Sequence, residues 1–281
     1  MTRIVIIFFS VLAAIDAQAG KPLSIPDGLR QKIITVSATG KGGYTGDVLK
    51  VVVKNTSALS QSMVLDAGLR FHPDDASQQD ILVTGAQQFV LAGNQSISLD
   101  VNGMCCIASN ACPSTGMNFT LLGMADTALV RVAKYIDQHK MYTSSEAQDA
   151  VWVVSDKHRV ESVDFMDPQN EGLVDMVTQI RGVPKPEYVI DYIKDPARPF
   201  TGDAANVKGS FRCKIRKQGE LVMAIYDSQG NAFDRSVFDG PPMPGNYNFG
   251  FEFNVYNFPA GTYYARVLLD NKVLAEVKIV I

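Results

Sequence analysis

Between residues 30 and 106 apolar and polar residues alternate in short runs, each closed by a cluster of turn-forming residues. The runs are Ile33 to Ser37, DVLKVVVKNT (47–56), SMVLDAGLRF (62–71), DILVTG (80–85), QQFVLAG (87–93) and QSISLDVNGMCC (95–106). Period-two alternation places every second side chain on one face, as with Ile97, Leu99 and Val101 in the last run. Short segments of this kind, about ten residues apart and separated by Gly, Asn and Asp, point to an antiparallel sandwich or barrel.

The period then changes. In ADTALVRVAKYIDQHK (125–140), Ala125, Ala128, Leu129, Val132 and Ile136 recur at helical spacing, and Asp126 stands where an acid favours a helix start. TSSEAQDAVWVVSD (143–156) opens with Thr143 and Glu146 in capping-box spacing and carries Ala147, Ala150, Val151 and Val154 on one stripe. A third helix is expected in NEGLVDMVTQIRG (170–182), stopped by Gly182. The expectation for residues 20–182 is a β-sandwich with appended helices.

Residues 183–209 carry four prolines and few long apolar runs, and read as a linker or strap. From Ser210 the β pattern returns and continues to Ile281, with Leu221, Met223 and Ile225 on one face. The chain as a whole is thus expected to be mostly β, with a second β-sandwich at its C-terminal end.

MTRIVIIFFSVLAAIDAQAGK opens the chain with Arg3, an apolar run from Ile4 to Ile15, and Ala17-Gln18-Ala19 before Gly20. That is the pattern of a secretory signal peptide over residues 1–19, which predicts export and surroundings that permit disulfides. No other apolar stretch approaches membrane-spanning length. The formal net charge is −3, with acids and bases mixed along the chain, which argues against a nucleic-acid partner.

The segment from LVMAIYDSQGNAF to the chain end resembles the immunoglobulin-like C-terminal sorting domain of cargo exported by the type IX secretion system of Bacteroidetes. The matching features are a strand followed by Asp227-x-x-Gly230, the Gly245 and Tyr247 pair, Pro-Ala-Gly-Thr-Tyr-Tyr at 259–264 with Gly261 and Tyr263, and Lys278 in a terminal apolar strand. The chain ends Ile-Val-Ile with no terminal basic residue. The resemblance implies an immunoglobulin-like fold for residues 210–281 and the type IX secretion machinery as a partner. It also implies a secreted or outer-membrane surface location on a Gram-negative cell.

MCCIASNACP (104–113) holds three of the four cysteines. On one strand Cys105 and Cys106 point to opposite faces, so one of them can meet Cys112 across the intervening turn. Cys105–Cys112 is the candidate disulfide. The spacing lacks the paired C-x2-C of zinc sites, and no metal or other cofactor is expected. FHPDDASQQD (71–80) groups Asp74, Asp75 and Asp80 near His72, but without the glycine turn and ligand spacing of a calcium loop.

CCI followed by AQDAVW resembles the thioester domains of bacterial surface adhesins, in which a cysteine joins a glutamine from a T-Q-x-A-apolar-Trp motif. Here Cys106 precedes Ile107, and Gln148 stands in Ala147-Gln148-Asp149-Ala150-Val151-Trp152, with Ala147 at the threonine position. The resemblance implies a Cys106–Gln148 thioester, with Trp152, one helical turn on, as cover against water. The plainer alternative is that Gln148 hydrogen-bonds within the fold, Trp152 is core, and Cys105 or Cys106 pairs with Cys112.

No catalytic constellation stands out in the sequence. The functional expectation is therefore non-enzymatic binding or adhesion to an extracellular protein or glycan. The alternatives are a secreted hydrolase with an unidentified site and a structural envelope component.

Overall fold

The computed structural model describes residues 21–195 and 199–281; the expected signal peptide lies outside them. The chain is mostly β. It begins with β1 (Leu23–Ser24) and the short helix α1 (Ile25–Arg30). Eight strands follow: β2 (Ile34–Gly40), β3 (Asp47–Asn55), β4 (Gln61–Leu65), β5 (Leu69–Pro73), β6 (Ile81–Val83), β7 (Gln87–Leu91), β8 (Ser96–Cys105) and β9 (Asn118–Met124).

Six of these strands close into a barrel in the order β2-β3-β8-β6-β5-β9, where a simple N-terminal sandwich was expected. Closure is made by Ala38 and Thr39 of β2 pairing with Phe119 and Asn118 of β9. β1, β4 and β7 form a separate three-stranded sheet. A sandwich strand and a barrel strand each bury one face, so their period-two patterns read alike; a long-range pairing decides between them. The run 62–71 is two strands, broken at Gly68, whose φ of +99° suits glycine. Val51, Val53, Leu69, Phe71, Ile81, Leu99 and Val101 fill the barrel.

The three expected helices are present as α2 (Thr127–His139), α3 (Ser145–Ser155) and α4 (Glu171–Arg181). Asp126 caps α2 by accepting from Leu129 N at 3.0 Å, and Gly182 ends α4 with φ of +65°. The cap of α3 is Ser144 rather than Thr143, its Oγ accepting from Ala147 N at 3.1 Å. Leu129, Val132, Ala133 and Ile136 of α2 and Ala147 and Val151 of α3 pack on Leu82, Met104 and Cys106 of the barrel wall. The helices therefore cover one outer flank of the barrel.

The proline-rich stretch 183–209 is more than a strap. It holds β10 (Tyr188–Tyr192) and the start of β11 (Ala204–Ile215), which runs without a break through Ser210. Tyr188, Val189 and Ile190 are all buried, so β10 has no alternation to read. After them come β12 (Leu221–Asp227), β13 (Ala232–Val237), β14 (Gly245–Asn254), β15 (Thr262–Leu269) and β16 (Lys272–Val280). Two antiparallel sheets, β10-β11-β14 and β13-β12-β15-β16, share one apolar cluster that includes Phe211, Ile225, Phe251, Val267 and Ile279.

The C-terminal unit meets the helical flank through polar contacts. Arg159 donates from Nη1 to Val280 O at 2.6 Å and from Nη2 to Tyr188 Oη at 2.7 Å. Tyr188 Oη also accepts from Val280 N at 3.0 Å. Lys208 pairs with Asp164 at 2.8 Å, and Lys194 approaches Asp149 at 3.5 Å.

Candidate functional site

The C-terminal end of β8 and the helix α3 meet along a continuous set of polar contacts. Strand alternation sends Cys105 into the barrel interior and Cys106 to the helix-covered face. Gln148, in the first half of α3, is fully buried and directed at the peptide of Cys105. Its Oε1 accepts from Cys105 N at 2.9 Å and its Nε2 donates to Cys105 O at 2.8 Å. The side chain thus supplies the partners a neighbouring strand would have given.

The next residues of the segment are held in the same way. Ser155 Oγ donates to Cys106 O at 2.6 Å, and Asp156 Oδ2 accepts from Ala108 N at 3.1 Å. Gln79 Oε1 accepts from both Ile107 N at 3.1 Å and Trp152 Nε1 at 3.2 Å. On the other side of the strand Cys106 N donates to Asp80 O at 2.9 Å. Of these residues Gln148, Trp152 and Ser155 stand four and three apart on one face of α3, and Asp156 follows as its C-cap.

Trp152 is 1% exposed and packs with Cys105 and Ala108 in the barrel cluster. Its outer side meets Phe200 and His158, with ring centroids 6.1 Å away in each case. His158 and Phe200 are themselves 4.0 Å apart. This aromatic group packs beside the cluster that holds Cys105, and Gln148 is itself fully buried.

All four cysteines are free thiols, so the expected Cys105–Cys112 bridge is not formed here. Burial pushes Cys106 up to about 12, Cys112 up to about 11, and Cys105 well above the usual thiol range. At neutral pH both buried cysteines are protonated thiols. Either becomes a nucleophile only if its proton is removed as it reacts.

The structure brings together Cys105, Cys106, Gln148 and Trp152, and half-buried Cys112 lies on the loop that follows. Sequence reasoning missed Gln79, Ser155 and Asp156, whose roles depend on which strands lie side by side. It grouped Asp74, Asp75 and Asp80 near His72; Asp80 does meet His72, at 2.7 Å, and pairs also with Arg70 at 2.6 Å. Asp75 accepts from Ser77 N at 2.9 Å within its own turn. Among the described residues no group of three or more His, Cys, Asp or Glu side chains is placed to hold a metal ion.

The residues of the sorting-tail pattern occupy separate places in the C-terminal unit. Gly245 starts β14 opposite Ile215, and Tyr247 donates to Met243 O at 2.7 Å while stacking on Phe249 at 5.0 Å. In the other sheet, Gly261 exchanges backbone hydrogen bonds of 3.0 and 2.9 Å with Ile281. Tyr263 donates to Pro259 O at 2.7 Å, and Lys278 lies opposite Tyr264. Gly261, Tyr263 and Lys278 therefore share one corner, whereas Gly245 and Tyr247 do not join it.

No protein-family model matches the chain, and no curated protein matches it. Among the described residues no helix is long and apolar enough to cross a membrane.

Proposed function

We propose that this protein is an exported surface protein that binds or adheres to an extracellular partner, and that it holds the partner covalently through a thioester between Cys106 and Gln148. The observation that carries the reading is the clamp of the buried Gln148 carboxamide on the Cys105 peptide, immediately before Cys106. The clamp restricts the rotamers of Gln148 and holds its carboxamide beside Cys106 before reaction.

The chemistry balances without a cofactor. The Cys106 thiol adds to Cδ of Gln148, the Sγ–Cδ bond forms, and Cδ–Nε2 breaks. The thiol proton leaves with the nitrogen as ammonia. A partner amine then attacks Cδ, forms an amide and returns the thiol. Trp152 shields the intermediate from water, and the partner class is a protein or glycan surface that carries amines.

Export rests on the signal-peptide pattern of residues 1–19. The two sheets with a shared core support an immunoglobulin-like reading of the C-terminal unit, in which it acts as a type IX sorting tail. A secreted or outer-membrane surface location on a Gram-negative cell follows from the two together.

The hydrolase alternative has one observation in its favour. Burial pushes the Asp149 carboxyl up to about 7, and it lines a cavity of about 140 Å³ with Glu146, Asp164 and Asp191. Lys194 stands 3.5 Å from that carboxyl, and the cavity is lined also by residues of β10 in the C-terminal unit, so the thioester reading is preferred.

Incubation with a biotinylated primary amine tests the proposal. Label at Gln148, retained in Cys105→Ala and lost in Cys106→Ala, is the expected result. Absence of label from the native protein would overturn it.

A further inference from the structure

Asp80 is the one charged residue among the buried described residues. An ionised carboxylate in that position costs several kcal/mol unless it is paired. Arg70 Nε donates to its Oδ2 at 2.6 Å, and His72 Nδ1 meets its Oδ1 at 2.7 Å. His72 is 45% exposed at its side chain, so the pair runs from solvent into the protein.

Strand register shows where that path leads. β6 pairs with β8 as Ile81 with Cys105 and Leu82 with Met104, which sets Asp80 opposite Cys106. The Cys106 N–H bond to Asp80 O, 2.9 Å, continues the same ladder. β5 pairs with β6 as Arg70 with Leu82 and Phe71 with Ile81, which sets His72 opposite Asp80. Phe71, Ile81 and Cys105 face the barrel interior, so His72, Asp80 and Cys106 form a row on the opposite face. Directly opposed side chains in such a row stand about 4.5–5.5 Å apart at Cβ.

The geometry points to Asp80 as the proton carrier for the Cys106 thiol, with His72 and Arg70 as the residues that position its carboxylate. This inference rests on the thioester reading. As Sγ bonds to Cδ of Gln148, the thiol proton passes to Asp80. The same proton goes to Nε2 as the Cδ–Nε2 bond breaks and ammonia leaves. In the later attack by an amine, Asp80 takes the amine proton and gives it to the departing sulfur. No net charge or electron is exchanged, and no co-reactant is needed beyond the amine.

The row also accounts for a difficulty set by burial. With the Cys106 thiol pushed up to about 12, its thiolate is scarce at neutral pH, and a base beside it removes the need for a free thiolate. Arg70 is the strongest of the neighbouring charges that favour ionisation of this thiol.

The test is the rate of methylamine uptake per thioester-containing chain, followed by intact mass, in the full-length mature protein. His72→Ala slows uptake about tenfold and His72→Gln, which keeps a donor for Asp80, restores most of it. Asp80→Asn slows uptake about a hundredfold or leaves chains that retain the ammonia. The urea midpoint of each variant is measured beside its rate, and a rate loss in His72→Ala that His72→Gln rescues separates proton transfer from a structural role. Equal rates in the native protein, His72→Ala and Asp80→Asn would overturn the relay and leave the thioester standing. No uptake by the native protein would overturn both.

Discussion

Gln148 and Cys105 are joined by two hydrogen bonds, side-chain oxygen to backbone N–H at 2.9 Å and side-chain nitrogen to backbone carbonyl at 2.8 Å. A helix thereby completes the hydrogen bonding of a buried strand end. Replacing Gln148 with Ala leaves a buried N–H with only the longer bond to Tyr44 O at 3.2 Å, and a buried carbonyl without this partner. The expected cost is about 2–4 kcal/mol, read as a lower urea midpoint with unchanged slope. A change below about 0.5 kcal/mol would show that the clamp adds nothing to the fold.

Trp152 contributes through volume and through one hydrogen bond to Gln79. Trp152→Phe removes the bond and keeps a ring, at about 1–2 kcal/mol, whereas Trp152→Ala opens a cavity at about 3–5 kcal/mol. Thermal unfolding of the two variants ranks them. Equal losses would mean that the indole N–H, rather than its bulk, holds the end of the barrel.

Asp149 gives stability a dependence on pH. Burial raises its carboxyl to about 7 in the folded state, while the unfolded chain titrates near the ordinary value of about 4. Between those values the folded state binds more protons, so stability falls as pH rises from about 4 to about 7 and levels off above. The effect is about 2–4 kcal/mol in full. Urea midpoints at pH 4.5 and pH 8 should converge in Asp149→Asn relative to the native protein. A pH slope identical in both would contradict the assignment.

Arg159 ties the loop after α3 to the last strand and to Tyr188. Arg159→Ala should uncouple the two units, so that calorimetry resolves two transitions where the native protein gives overlapping ones. Hydrogen exchange should quicken at Val280, whose N–H rests on Tyr188 Oη. Unchanged exchange there would mean that the apolar packing of β16 alone secures the strand.

Much of this was legible because local periodicity carries it. Ile97, Leu99 and Val101 mark the inward face of β8, and the same alternation separates Cys105 from Cys106. Gln148 and Trp152 stand one helical turn apart, which is why a sequence motif captures their common face. Closure of the barrel was not legible, since it depends on Ala38 meeting Phe119 across most of the domain. β10 was hidden because both its faces are covered, and the Asp80–Arg70 pairing because it follows from the register of β5 against β6.

The most direct measurement of the central claim is the intact mass of the mature, non-reduced protein before and after methylamine treatment. The account predicts a mass short of one ammonia, followed by incorporation of methylamine at Gln148. A mass explained by free thiols or disulfides alone, with no incorporation, would contradict it and leave Gln148 as a structural clamp.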